Sequence, residues 1–227
     1  GSARIIKMLD VRNDRLVVES KGIYSIENFL TSRRLMYWQV YLHKTAVAAE
    51  KMLIKTLIRA QELTVKNVKL FASPALRYFL ENNVNETFLK NNLNEVLQHF
   101  VNLDDNDIWC ALKVWADHED TVLSTLSSGL INRRLFKIEI TNEPKSEIEI
   151  KEYIERYKSK FCICESEASF LFSSDVIYTN MYNEADDSID ILYNDGTIRD
   201  ISEASDMLNI QLLSKKVVKY YFSYLRI

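Results

Sequence analysis

The segment Ser32-Arg33-Arg34-Leu35-Met36-Tyr37-Trp38-Gln39-Val40-Tyr41-Leu42-His43-Lys44-Thr45 gathers the residue types that hold a phosphorylated ligand. A guanidinium such as that of Arg33 can form two parallel hydrogen bonds to a phosphate, and the ammonium of Lys44 is a point charge suited to the same group. Tyr41 offers a ring to pack on a sugar and a hydroxyl to hydrogen-bond it, and His43 adds a further donor. On a helix turning ~100° per residue, Arg33 and Tyr37 share a face, as do Tyr37 and Tyr41, while Arg33 and Tyr41 are offset by ~80°. His43 and Lys44 point away from that face, towards a neighbouring chain. The same residues also fit a plainer account, with the aromatic rings in a core and Arg33 and Arg34 on a solvated face.

Other chemistry-bearing groups are weaker. The histidines are His43, His99 and His118 alone, which limits any histidine metal site. His118-Glu119-Asp120 would diverge by ~100° per residue on a helix, so it reads as a helix cap. Asp186-Asp187-Ser188-Ile189-Asp190 lacks the glycine and the final glutamate of a calcium loop and reads as a solvated acidic turn. Asp104-Asp105-Asn106-Asp107 reads as a helix start, and Lys215, Lys216 and Lys219 as a solvated strand edge. Three cysteines, Cys110, Cys162 and Cys164, form neither a disulfide framework nor a zinc pattern and are expected as buried or half-buried thiols in a reducing cytosol.

The elements that must position these residues follow from composition and periodicity. The chain has 227 residues with a net charge of -3, so a whole-chain basic footprint for nucleic acid is absent. No apolar run reaches the ~18 residues of a membrane span, and no signal peptide is present, so a cytoplasmic protein is expected. Gly1-Ser2 reads as a tag scar. Glycine and proline number 4 and 2, where average usage would give roughly 27 together, and so sparse a supply of turn residues predicts long helices.

Residues 3–20 alternate around Arg12-Asn13-Asp14-Arg15 and predict a β-hairpin. Residues 26–63 carry apolar residues at a 3.6 period with no glycine or proline, which predicts one very long helix, with Thr31-Ser32 as the place where it could break. Shorter helices are expected over 74–82, 85–100, 104–116 and 119–128, a strand over 133–141 and an amphipathic helix over 146–160. Strands follow over 161–164, 168–180, 188–193 and 197–201, then a helix over 203–209 and a strand over 217–227. The expected class is a mainly helical α+β fold: hairpin, long helix and helical bundle over 3–141, then a small α+β lobe with antiparallel strands over 142–227.

The Tyr41-Leu42-His43-Lys44 motif on its long helix resembles the HD-domain deoxynucleoside triphosphate triphosphohydrolases, especially bacterial relatives of the sterile-alpha-motif/HD-domain dNTPase. In that family a Tyr-x-His-Lys segment lies on a long helix lining the nucleotide pocket. Residues 4–20 look like the hairpin before that helix. Asp107 to Phe136, with Arg133-Arg134-Leu135-Phe136-Lys137 at its end, looks like the family's helical pair ending in Arg-Asn-Leu-Phe-Lys.

The resemblance implies substrate-binding roles for Arg33, Tyr37 and Tyr41, and phosphate or second-nucleotide contacts for His43 and Lys44. It also implies a divalent metal ion in the parent enzyme, a dNTP as its ligand, and a homo-oligomer, dimer or tetramer. The family's metal ligands include a His-Asp pair, and no His-Asp dipeptide occurs here: the three histidines precede Lys44, Phe100 and Glu119. The expectation is a C-terminal portion whose metal-binding part lies upstream of Ala3, inactive by itself and self-associating through the 26–63 helix. A non-catalytic interaction or oligomerisation module with a degenerate nucleotide-binding helix is the alternative.

Overall fold

In a computed structural model, which describes residues 2–179, 188–205 and 217–227, the elements run as follows. First come α1 (Ser2–Ile6), β1 (Leu9–Arg12), β2 (Arg15–Glu19), α2 (Ile23–Met36), a π-turn (Tyr37–Tyr41) and α3 (Lys44–Val65). Then come α4 (Pro74–Glu81), α5 (Glu86–Asn91), α6 (Leu93–Val101), α7 (Asp105–Trp115), α8 (Thr121–Ile131) and β3 (Lys137–Thr141). The remainder is α9 (Glu147–Phe161), α10 (Glu165–Ala168), β4 (Phe172–Thr179), β5 (Asp190–Leu192), β6 (Ile198–Asp200), α11 (Ile201–Ala204) and β7 (Val217–Tyr224). This is the mainly helical α+β class expected from the sequence. Among the described residues no helix is long and apolar enough to cross a membrane. The chain forms two compact units, residues 1–43 with 176–219 and residues 44–175 with 220–227. The expected boundary at 141/142 falls inside the second of these, between β3 and α9.

In the first unit the hairpin forms as β1 and β2, with Leu9 opposite Val18 and Arg12 opposite Arg15. Asn13 and Asp14 take φ of 53° and 59°, the left-handed pair that a two-residue hairpin turn needs. Residues 3–6, expected as strand, are instead the short helix α1. Strand β2 then pairs parallel with β5, Val18 opposite Ile191, and β6 closes the sheet, order β1-β2-β5-β6. Val18, Ile26, Leu30, Ile191 and Ile201 form the core of this unit. Glu27 is buried beside it and accepts a hydrogen bond from the Ser205 hydroxyl, which supplies a partner that a buried carboxylate requires.

The helical stretch expected over 26–63 is present, but it is interrupted at 37–43 and not at Thr31-Ser32. The Leu42 amide donates to the Tyr37 carbonyl at 2.8 Å, the wider i→i+5 bond of a π-turn.

In the second unit α3, α7 and α8 pack around Met52, Leu112, Trp115, Leu123 and Leu126, all at most 1% exposed. The indole of Trp115 donates to the Phe71 carbonyl at 2.9 Å. A three-stranded sheet of order β3-β7-β4 sets Lys137 opposite Tyr224. Helix α9 begins at a capping box in which the Ser146 hydroxyl accepts from the Glu149 amide and Glu149 accepts from the Ser146 amide. It ends at Cys162 in the left-handed region, φ 53°. The strand expected over 161–164 is therefore a helix end, and α10 follows directly.

One buried cation ties the helices together. Arg59 on α3 reaches Asp120, the N-cap of α8, at 2.6 Å, Glu167 on α10 at 2.7 Å and Glu62 at 3.2 Å. Burial disfavours the Asp120 carboxylate, but the hydrogen bonds from Arg59 and the Leu123 amide outweigh this and hold it below its ordinary range. The Cys164 amide and Arg59 hold Glu167 low in spite of burial. Lys145 and Ser146 pull Glu149 down to about 2.

These folded-state values lie below the unfolded ones. Their stabilisation is therefore complete above the ordinary carboxylate range and is lost as pH falls through the depressed values. The urea midpoint is expected to stay level from pH 8 to about 5 and to fall between about pH 4 and 2. A midpoint unchanged down to pH 2 would show that these carboxylates are not linked to folding.

Candidate functional site

Two groups of residues carry chemistry, one in each unit. In the first unit Arg33, Tyr37 and Tyr41 come together as the face analysis requires. The Arg33 guanidinium carbon lies 5.9 Å from the Tyr37 ring centroid, and the Tyr37 and Tyr41 rings are 5.3 Å apart at 50°. The ladder of cation and two rings is exposed, with Tyr37 and Tyr41 at 42% and 57%. It lies in a stretch where Leu35, Met36 and Val40 are exposed as well. An apolar stretch open on several sides is uncommon for a helix end standing alone in water. His43 follows the π-turn, its amide donating to the Val40 carbonyl at 3.3 Å.

In the second unit Lys44 opens α3 and lines a cavity of about 980 Å³. Its other charged lining residues are Arg133, Arg134, Lys137, Lys160 and Arg226, and no aspartate or glutamate is among them. Thr45, Thr125 and Ser128 add hydroxyls, and Leu135, Phe136, Phe161 and Leu225 supply apolar walls. Six cations around one space repel each other unless an anion occupies it, so the lining matches a group carrying several negative charges.

Local backbone rules place the arginines. Helix α8 ends in a Schellman motif: the Arg134 amide donates to the Gly129 carbonyl at 2.8 Å and the Arg133 amide to the Leu130 carbonyl at 3.3 Å. The residue in the left-handed position is Arg133, φ 55°, where glycine is the residue without strain. The motif turns the chain sharply, so that Arg133 and Arg134 face the cavity before β3 begins. Gly129 is a glycine for a different reason. A Cβ there would collide with the Met52 side chain and press on the Arg134 carbonyl at 3.2 Å. Lys137 on β3 is kept charged by Tyr224, against the effect of burial, with Glu139 adding at 3.6 Å.

Sequence reading singled out Lys44 and the Arg133–Lys137 run separately, and the structure brings them to one cavity. It missed Lys160 and Arg226, whose only signal is their position at the ends of α9 and β7. Lys44 is held by the second unit, and Arg33, Tyr37, Tyr41 and His43 by the first. His118 is a capping partner as expected, its Nδ1 accepting from the Asp120 amide at 3.0 Å. Residues 186–187 and 215–216 lie outside the described residues. Among the described residues, no three side chains of His, Cys, Asp or Glu gather where they could hold a metal ion. The described residues therefore do not supply a site for the divalent ion that the resemblance implies for the parent enzyme.

Residues 2–95, which contain the Arg33–Lys44 segment, match the family model described as the HD associated region. The chain is 33% identical over 134 residues to the Bacillus subtilis protein YwfO, covering 59% of this chain and 29% of that one. A solved phosphohydrolase from Bacteroides thetaiotaomicron is 64% identical, with a TM-score of 0.93, over 100% of this chain and 56% of that one. A hypothetical protein from Aquifex aeolicus, at 19% identity and a TM-score of 0.56 over 100% of this chain and 48% of that one, shares the fold. The chain thus spans about a third to a half of the length of these relatives. The match over residues 2–95 takes in the hairpin and the Arg33–Lys44 segment, and the whole chain is similar to a solved phosphohydrolase.

Proposed function

We propose that the chain is the nucleotide-holding and assembly portion of an HD-type phosphohydrolase that converts a deoxynucleoside triphosphate to deoxynucleoside and triphosphate. The observation that carries the reading is the cavity with six cations and no carboxylate, in which Lys44 and Arg133–Lys137 meet. A triphosphate matches it in charge, and a neutral metabolite would leave all of these cations but Lys137, which has Glu139 beside it, without a counter-charge. Arg33, Tyr37 and Tyr41 form the complementary arrangement for a substrate: a guanidinium for phosphate beside rings for a sugar and base. Their exposure supports packing against further protein in the longer enzyme, and the apolar residues around them support assembly of copies through this stretch. His43 and Lys44 serve a phosphate or a second nucleotide.

A divalent metal, when bound, lowers the pKa of a water or polarises a phosphoryl oxygen. The described residues contribute binding and charge, and the hydrolytic ligands belong to a part outside them. Calorimetry with the purified 227-residue chain tests the reading. Both dGTP and inorganic tripolyphosphate are expected to bind, and deoxyguanosine at least ~30-fold more weakly, since charge-assisted hydrogen bonds carry the affinity. Deoxyguanosine binding as tightly as dGTP overturns the reading. Incubation with dGTP and a divalent metal is expected to release no triphosphate, and release at enzymatic rates overturns the assignment of the hydrolytic ligands to another part.

A further inference from the structure

Tyr157 on α9 is fully buried, yet it carries a hydroxyl. That hydroxyl donates to the Leu225 carbonyl at 2.8 Å. On the other side of the same residue, the Leu225 amide donates to the Leu171 carbonyl at 2.9 Å. Strand β7 has ended one residue earlier, at Tyr224, so the ladder that fixes the strand gives way to these two bonds. The next residue is Arg226, and Leu225 and Arg226 both line the cation cavity. One turn after Tyr157, the same helix delivers Lys160 and Phe161 to that cavity. The Phe161 ring lies 6.4 Å from the Tyr157 ring. Burial pushes the Tyr157 phenol well above its ordinary range, so it is a donor at neutral pH.

We propose that Tyr157 is a positioning residue for the anion cavity: by clamping the Leu225 carbonyl it holds the backbone from which Arg226 reaches the ligand. The inference rests on the reading of the cavity as a phosphate site. A packing role alone would be met by phenylalanine, and an oriented hydroxyl buried under the cavity wall serves the position of the next residue instead. The clamp matters because a long arginine side chain loses conformational freedom on binding, and a backbone fixed in advance reduces that loss.

The test is a double-mutant cycle on the full 227-residue chain, read by calorimetric titration with inorganic tripolyphosphate at fixed salt, with thermal unfolding to verify folding. Arg226→Ala is expected to weaken binding about tenfold, and Tyr157→Phe about fivefold, the range of one hydrogen bond to a charged group and of one neutral bond. In the Arg226→Ala background, Tyr157→Phe is expected to change affinity by less than about 1.5-fold, because the residue it positions is gone. Equal weakening by Tyr157→Phe in both backgrounds would mark a general structural role and overturn the proposal. No weakening by Tyr157→Phe, with Lys44→Ala and Arg134→Ala both weakening binding, also overturns it while the cavity reading stands. If Lys44→Ala and Arg134→Ala leave tripolyphosphate binding unchanged, the cavity reading itself fails. Tyr157→Phe keeps the ring and its packing. If it nonetheless fails to fold, the dependence of tripolyphosphate affinity on salt decides: Arg226→Ala must flatten it, and an unchanged dependence removes Arg226 from the site and the proposal with it.

Discussion

Arg59→Leu is expected to lower unfolding free energy by about 3–5 kcal/mol, the loss typical when one partner of a buried ion pair is removed. The arginine side chain is 5% exposed, and Asp120 and Glu167 are 14% and 28% exposed. Substitution leaves two carboxylates facing each other in a half-buried space with no cation between them. The leucine keeps most of the apolar volume of the stem, so the loss reports charge and hydrogen bonding more than a cavity. Asp120 also caps α8 through the Leu123 amide, and a protonated Asp120 caps less well. The variant is therefore expected to titrate differently: with Arg59 gone, Asp120 and Glu167 are held low only by their remaining partners, the Leu123 and Cys164 amides among them, and part of the acid sensitivity disappears. Urea unfolding at pH 7 and at pH 4 measures both effects. A loss below about 1 kcal/mol at pH 7 would place Arg59 among ordinary surface pairs.

The second large effect runs in the opposite direction for stability and for binding. Arg133→Gly removes a non-glycine residue from φ 55°, a conformation that costs roughly 1–2 kcal/mol for a side chain with a Cβ. It also removes one of six mutually repelling cations. The expected outcome is an unfolding free energy higher by about 1 kcal/mol, since the extra entropy of glycine in the unfolded chain offsets part of the relief. Affinity for tripolyphosphate is expected to fall about tenfold, as one charge-assisted contact is lost. Thermal unfolding and calorimetric titration of the same preparation give both numbers. A stabilised variant with unchanged affinity would show that Arg133 turns the chain and nothing more. A destabilised variant would show that its side chain is held by interactions that outweigh the strain.

Local chemistry made much of the fold legible. Ser146 followed by Glu149, Asp104 followed by Asp107, Pro74 after Ser73 and the Asn13-Asp14 pair are short-range signals, and each marks an observed boundary. What failed was decided elsewhere in the chain. Nothing in the Tyr37–Tyr41 sequence is a helix breaker, so the π-turn could not be read from propensity, while Thr31-Ser32, a plausible weak point, continues the helix without a fault. Ala3 to Ile6 alternates like a strand, yet it forms a helical turn with Ile5 and Met8 against the core of its unit. Residues 161–164 carry strand-forming types, but Cys162 takes the left-handed position that ends α9.

The site divided in the same way. The Arg33–Tyr37–Tyr41 ladder follows from helical spacing alone and was legible. The cavity depends on four separate stretches, around Lys44, 125–138, 160–161 and 225–226. Two of them, Lys44 and the Arg133–Lys137 run, were noticed without any means of joining them. Lys160 and Arg226 are single charges in unremarkable contexts, and only the path of α9 and β7 gives them a purpose.

The parallel pairing of β2 with β5 sets an order on events during synthesis. Val18, Ile26 and Leu30 emerge early, but two of their core partners, Ile191 and Ile201, come about 170 residues later. At roughly 5–20 residues per second the ribosome needs on the order of ten to forty seconds to supply them. Throughout that interval β2 lacks its parallel partner β5, and Ile26 and Leu30 of α2 lack Ile191 and Ile201. Residues 44–175 are made inside that window and hold most of their own unit's core. Residues 44–175 can thus be consolidated before β2 and α2 meet β5 and α11.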